Sequence, residues 1–290
     1  MVTVGFIGFG IMGSPMATNL AKAGFDVVGF NRTPERVGAL ASEGITLATS
    51  IEELVRASDV IITMLPDSPD VESVALGESG VFAHAAPGLL FVDMSTIRPD
   101  VAAHLAKEAA SRGIDALDAP VSGGEAGAIE GSLSIMAGGS SQAFERARPY
   151  FEAMGRTIVH VGPPGSGQTV KAANQLMVAA NLQGLAEAVV FLEAYGVDMV
   201  PALEVLGGGL ASSTVLQRKS TNMLERSFAP GFRLSLFTKD MGIIQAAARE
   251  KGVTLLLGSL VAQTIASLVA RGDGDLDHSA MIRVVDELSK

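Results

Sequence analysis

Residues Val4–Phe30, VGFIGFGIMGSPMATNLAKAGFDVVGF, decide the fold of this chain. Val4, Phe6 and Ile7 make the short apolar run of a buried strand, and it leads directly into Gly8-Phe9-Gly10-Ile11-Met12-Gly13, a GxGxxG spacing. Met12, Met16 and Leu20 then recur every four residues, the period of a helix face, until Lys22-Ala23-Gly24 stops the helix and Phe25–Phe30 reads as a second buried strand. In such a unit the first glycine makes the tight turn, the second lets the backbone approach a pyrophosphate, and the third lets helix and strand pack closely. The helix start adds free N–H groups and a partial positive charge. A glycine-rich turn with no ligand is the plainer reading, but the flanking strand, helix and strand favour a dinucleotide site at Gly8, Phe9, Gly10, Ile11, Met12 and Gly13.

The end of the second strand bears on which dinucleotide. A ribose 2′-hydroxyl is usually met there by Asp or Glu, whereas this chain has Asn31-Arg32-Thr33. With no carboxylate to repel it and a guanidinium beside it, a 2′-phosphate fits better than a bare hydroxyl. The reading is NADP(H) in preference to NAD(H), with dual use open and a merely solvated Arg32 as the rival account.

The 290 residues are enough for a large core and suggest two domains. With 48% hydrophobic residues but 5% aromatic and no Trp, that core must be aliphatic and filled by methionine. A net charge of −10 argues against a nucleic-acid surface, so any anion site has to be built locally. The absence of cysteine removes disulfides and thiolate nucleophiles. The first strand begins at residue 2 or 4, leaving no room for a signal peptide, and a cytoplasmic location is expected. The one membrane-like run, 253–270, contains Thr254, Ser259, Gln263, Thr264 and Ser267 and reads as a buried helix.

Further along, 34–43 reads as a helix, 45–48 as a strand, 50–57 as a helix and 59–65 as an apolar strand stopped by Pro66. Such strands suit a parallel sheet covered on both faces, and ligands sit at their carboxyl ends. Met64-Leu65-Pro66 is therefore a candidate wall for the dinucleotide. The strand 89–94 ends at Ser95-Thr96, whose hydroxyls either reach the same edge or cap a helix over 99–110. After a strand at 114–118, Ser122-Gly123-Gly124 offers unobstructed backbone N–H groups that suit a carboxylate or phosphate, unless the glycines serve only a turn. A strand at 133–137, a helix at 141–154 and a strand at 157–161 complete the sheet. Gly162-Pro163-Pro164-Gly165 is the linker, giving domains 1–162 and 163–290. The second domain reads as all helical, over 168–195, 198–207, 214–224, 238–251, 253–271 and 278–288. Its first helix is nearly free of charge and is expected to be mostly buried.

Lys171 sits near the start of that helix, where the macrodipole disfavours a cation, among neighbours almost without charge. Asn174 and Gln175 share its face. A general acid that protonates an alkoxide as hydride arrives at a carbonyl carbon needs such a tunable proton; a lysine snorkelling to solvent is the structural alternative. Lys239 reads as a second cation at a helix start, with Thr238 as a candidate cap; it could reach an anion, and a surface role is the equal alternative. His84, His104, His160 and His278 show no metal spacing, so no metal is expected.

Together GFIGFGIMGSPMATNLAKAG, DVIITMLPDSPDVESVALG, DAPVSGGEAGAIEGSLSIMAGG, GQTVKAANQ, GGLASSTVL, PGFRLSLFTKDM and Asp277-His278-Ser279-Ala280 resemble the β-hydroxyacid dehydrogenase family over nearly the whole chain. The resemblance implies an α/β N-terminal Rossmann domain, an all-α C-terminal domain, a long interdomain helix and a homodimer or homotetramer. It puts the catalytic lysine at Lys171, substrate contacts at Ser122, Gly123, Gly124 and Asn174, and cofactor contacts at the glycine loop, Met64, Leu65, Pro66, Thr96 and Lys239. The implied reaction is reversible reduction of a small aldehyde bearing a carboxylate, tartronate semialdehyde to D-glycerate foremost. Oxidation of 3-hydroxyisobutyrate and reduction of glyoxylate or succinic semialdehyde are alternatives. Phe237 stands where relatives tend to carry His, and is read as bearing on substrate identity. A dinucleotide-binding scaffold without turnover is the competing class; Lys171 and the intact Ser-Gly-Gly segment argue against it.

Overall fold

The computed structural model describes residues 2–33 and 43–290, so most of the helix expected over 34–43 lies outside the described residues. The chain divides into two compact units, Met1–Lys171 and Ala172–Lys290.

In the first unit the strands are β1 (Thr3–Ile7), β2 (Asp26–Phe30), β3 (Ile45–Leu47), β4 (Val60–Thr63), β5 (Leu90–Asp93), β6 (Asp115–Asp118), β7 (Val121–Ser122), β8 (Leu133–Gly139) and β9 (Gly155–Gly162). The sheet runs β3-β2-β1-β4-β5-β6-β8-β7, with β9 paired to β8. From β3 to β6 every pairing is parallel, and the order is that of a doubly wound dinucleotide-binding sheet. β8 then runs antiparallel to β6 and β7. The helices are α1 (Gly13–Lys22), α2 (Ile51–Arg56), α3 (Ser68–Leu76), α4 (Val81–His84), α5 (Pro99–Ala110), α6 (Gly124–Ile129) and α7 (Ser141–Met154).

Side chains alternate across a strand, and here both faces are covered. Val60, Ile62, Leu90 and Val92 join Met16, Leu20, Phe144 and Phe151 in one core cluster. Ile61 and Phe91 join Leu54, Val71, Phe82 and Leu105 in the other. The continuous apolar runs of β4 and β5 follow from this two-sided burial.

The helix α8 (Ser166–Ala194) starts in the first unit and continues into the second. After it come α9 (Met199–Gly208), α10 (Thr214–Leu224), α11 (Leu234–Lys251), α12 (Leu256–Ala270), a 3-10 turn at His278–Met281 and α13 (Ile282–Leu288). An isolated bridge joins Arg233 to Asp277. By length and composition alone α8 could cross a membrane, with mean hydropathy 1.4 over its most apolar window. The run 253–270 yields a shorter helix of 15 residues.

Within the single chain α8 is not mostly buried, contrary to expectation: a third of its most apolar window is covered. Its buried stripe includes Gln168, Lys171, Gln175, Ala179, Leu182, Ala186 and Val189, at spacings of three or four, while Met177 is 67% exposed and Phe191 61%. Scarcity of charge marks an apolar outer face as well as a buried one.

Candidate active site

The glycine loop has the geometry its spacing calls for. Gly8 has φ +103°, and a Cβ there would run into the Met64 carbonyl; a Cβ on Gly13 would overlap the Gly8 carbonyl. At Gly10 nothing lies within 4 Å, so the loop is open on the side a pyrophosphate would take. No side chain caps α1 and its first turn carries no acid. These features fit a dinucleotide. Ile11 is exposed and Met12 half-buried. Phe9 enters the loop through its backbone alone. Its ring is 4% exposed, 5.4 Å from the Phe6 ring, and fills the space a Cβ on Gly29 would take.

Asn31 holds the loop: Phe9 N donates to Asn31 Oδ1 at 3.3 Å, and Asn31 Nδ2 donates to the Thr33 carbonyl at 2.8 Å. Arg32 and Thr33 are exposed at the carboxyl end of β2. Asn31 is thus a positioning group for the glycine loop, which the sequence alone did not reveal.

The turns after β4 and β5 are tied together. Leu65 N donates to Ser95 Oγ at 2.8 Å, Ser95 N donates to Asp93 Oδ1 at 3.2 Å, and Thr63 Oγ1 donates to the same Oδ1 at 2.7 Å. The capping alternative for Ser95 is not what the structure shows, because Arg98 is the N-cap of α5 and its side chain makes no cap bond. Met64, Leu65 and Thr96 are half-buried and Pro66 is exposed at this edge.

Ser122 lies in the short strand β7, opposite Ser134 of β8, rather than in an open loop. Gly123 (φ +145°) and Gly124 (φ +64°) turn the chain sharply into α6, a helix that 119–127 was not expected to hold. Positive φ at two successive residues explains the paired glycines.

Lys171 is 6% exposed, in the second turn of α8. The start of that helix is held from β6: Gly165 N donates to Asp118 Oδ1 and Gln168 N to Asp118 Oδ2, each at 2.8 Å. Gln168 in turn spans Thr96, its Nε2 donating to the Ser95 carbonyl at 2.8 Å and its Oε1 accepting from Ile97 N at 3.1 Å. Burial pushes the Asp118 carboxyl up to about 6, against the two N–H groups that favour its charge, and Asp93 adds to the rise. Sequence reasoning missed both residues: Asp118 read only as a strand end and Gln168 only as a helix start.

In the second unit, Asn174 Nδ2 donates to Gln175 Oε1 at 2.8 Å, Gln175 Nε2 donates to Asp240 Oδ2 at 2.6 Å, and Lys239 Nζ lies 3.0 Å from Asp240 Oδ1. Asp240, 3% exposed, therefore links the predicted Asn174 and Lys239. One expectation falls here. α11 begins at Leu234, so Thr238 is no cap; its hydroxyl donates to the Leu234 carbonyl, and Lys239 sits in the second turn. Phe237 is fully buried, packed at 5.8 Å on Phe232 and 5.5 Å on His278, so its side chain belongs to the core. Asp277 holds the turn before α11, accepting from Gly231 N, Phe232 N, Ser279 and Lys219 Nζ. No group of three or more His, Asp or Glu able to hold a metal occurs among the described residues.

An open glycine cradle at the switch edge of a doubly wound sheet, followed by a buried lysine on a helix locked to that edge, defines a two-domain nicotinamide-dinucleotide dehydrogenase. Comparison with known proteins agrees. Residues 3–162 match the family described as the NAD binding domain of 6-phosphogluconate dehydrogenase, and residues 165–285 that described as NAD-binding of NADP-dependent 3-hydroxyisobutyrate dehydrogenase. The chain is 41% identical to 2-hydroxy-3-oxopropionate reductase of Escherichia coli, covering 98% of this chain and 97% of that one. It is 38% identical to the NAD-dependent L-serine dehydrogenase of Pseudomonas aeruginosa, over 99% and 98%. Among solved structures, Mycobacterium tuberculosis 3-hydroxyisobutyrate dehydrogenase with L-serine is 36% identical, with a TM-score of 0.89 over 98% of this chain and 99% of that one. The chain belongs to the β-hydroxyacid dehydrogenase family.

Proposed function

We propose that this enzyme is an NADPH-preferring reductase of a small aldehyde bearing a carboxylate, foremost 2-hydroxy-3-oxopropionate (tartronate semialdehyde) to D-glycerate, with Lys171 as proton donor. The observation that carries the reading is Lys171 itself, 6% exposed on a helix whose first turn is bonded to the carboxyl edge of the sheet. A structural lysine reaches solvent with its ammonium; this one is held in.

The bound dinucleotide supplies the hydride that reaches the carbonyl carbon. As the carbonyl oxygen gains charge, Lys171 Nζ gives it a proton, and the aldehyde becomes an alcohol. Ser122, with its hydroxyl, and Gly123 and Gly124, with their N–H groups, bind the substrate carboxylate. Asn174 helps to orient the substrate. The glycine loop, Met64, Leu65, Pro66, Thr96 and Lys239 hold the cofactor, and exposed Arg32, with no acid at 31 or 33, favours a 2′-phosphate.

The name of the Escherichia coli relative supports the substrate. L-serine, present in the names of a second relative and of a solved structure, is the alternative those comparisons favour. It joins 3-hydroxyisobutyrate, glyoxylate and succinic semialdehyde, since one methylene in a pocket is worth only about 1–3 kcal/mol. NAD(H) use stays within the proposal. So do a cytoplasmic location, a domain boundary after Gly162, and assembly as a homodimer or homotetramer. Apolar side chains exposed on α8, α9 and α12, such as Phe191, Val200, Val205 and Leu260, support the last.

The test is oxidation of NADPH and NADH by the purified enzyme against tartronate semialdehyde, methylmalonate semialdehyde, succinic semialdehyde and glyoxylate, with L-serine and NAD(P)+ in the reverse direction. The highest kcat/KM is expected for tartronate semialdehyde with NADPH. A higher value for another substrate would displace it, and no turnover despite tight NADPH binding would favour the scaffold.

A further inference from the structure

Asp118 does more than the start of a helix requires. A neutral Ser, Thr or Asn caps a helix well. Here the cap is a carboxylate, 5% exposed, in the company of the buried carboxylate Asp93, and it is supplied by β6 rather than by the residue before the helix. Keeping it ionised runs against its burial, which raises its carboxyl to about 6. The charge nevertheless faces the positive end of α8, offsetting the macrodipole that would otherwise disfavour a protonated Lys171 in the next turn.

The contact is also very close. A Cβ on Gly167 would overlap the Asp118 and Met136 carbonyls and lie 2.9 Å from Asp118 Oδ2, and one on Gly138 would lie 2.5 Å from Asp118 Oδ1. The helix start is therefore seated on β6 and β8 with no room to shift. Gln168, 1% exposed and three residues before Lys171 on the same buried stripe, extends the seat to both peptide groups flanking Thr96. Through Ser95 the connection reaches Leu65 N. Asp118 also lies four residues before Ser122 in the strand that leads to it.

We propose that Asp118 and Gln168 are positioning residues for the reduction: Asp118 anchors and charges the start of the helix presenting Lys171, and Gln168 ties that turn to the segment carrying Thr96. The proton donor and the cofactor edge then share one polar frame, and the strand that supplies Asp118 leads on to the substrate segment. This rests on the reading of Lys171 as proton donor.

The experiment measures turnover and NADPH binding in Asp118→Asn and Gln168→Met. Asp118→Asn keeps shape and one acceptor but loses the charge; kcat is expected to fall about tenfold, with aldehyde KM and NADPH Kd within about threefold of the parent. A kcat within about threefold, or a loss matched by equal loss of NADPH binding, would overturn the assignment. Gln168→Met keeps volume without hydrogen bonds, and NADPH Kd is expected to rise more than about threefold; an unchanged Kd would overturn the role of Gln168. Should Asp118→Asn fail to fold, the Gln168→Met titration decides. If the parent itself turns over no aldehyde acid, the proposed reaction has failed. The frame is then decided by that titration and by amide exchange over 165–171, which must quicken in Asp118→Asn.

Discussion

The proposed preference for NADPH rests on Arg32. It stands exposed beyond β2, while its neighbour Asn31 is engaged with the glycine loop and leaves no carboxylate to accept from a ribose hydroxyl. Arg32→Asp is expected to weaken NADPH binding by about tenfold or more while NADH changes little, as fluorescence titration would show. Equal losses for both would remove the argument. His278 tests a different balance. Burial pushes its imidazole down to about 4, with Asp277 opposing and Lys219 adding to the fall, and neither ring nitrogen has a hydrogen-bond partner among the described residues. A histidine depressed from 6.5 is neutral when folded, so its contribution to stability is present above pH 6.5 and is lost as pH falls through about 4. Between pH 7 and 5 this loss is about 2 kcal/mol. His278→Phe, placed among Phe232 and Phe237, is expected to flatten that part of the urea-unfolding profile; a slope equal to the parent's would contradict the burial argument.

At the scale of elements, periodicity carried most of the fold. α5, α7 and α10 run over the residues expected, because apolar residues recur there at helical spacing. The parallel strands were legible because two-sided burial makes them uniformly apolar. α3 and α4 were not, and α6 hides among glycines, since positive φ at 123 and 124 serves a turn and a helix start at once. The start of α11 was misplaced by one turn because Thr238 resembles a cap, while in the folded chain its hydroxyl bonds back along the helix. Of the candidate site, the glycine loop and Lys171 could be read from spacing and misplaced charge. The roles of Asn31 beside the glycine loop, of Asp118 and Gln168 at the start of α8, and of Asp240 beside Gln175 could not. Each acts across at least 22 positions of sequence, and no local pattern encodes such a pairing.

For the whole molecule, the proposed reduction assigns cofactor and proton donor to the sheet edge and the start of α8. Met177, Phe191, Val200, Val205, Leu256 and Leu260, each more than half exposed, are costly to leave in water, and light scattering is expected to give a dimer or tetramer. A monomer mass at micromolar concentration would contradict that. The central claim is the role of Lys171, and the most direct measurement is the rate of NADPH oxidation by Lys171→Ala at saturating aldehyde acid, with NADPH affinity measured on the same preparation. Loss of kcat by about two orders of magnitude or more, with the NADPH Kd preserved, is the predicted result; turnover comparable to the parent would contradict the account.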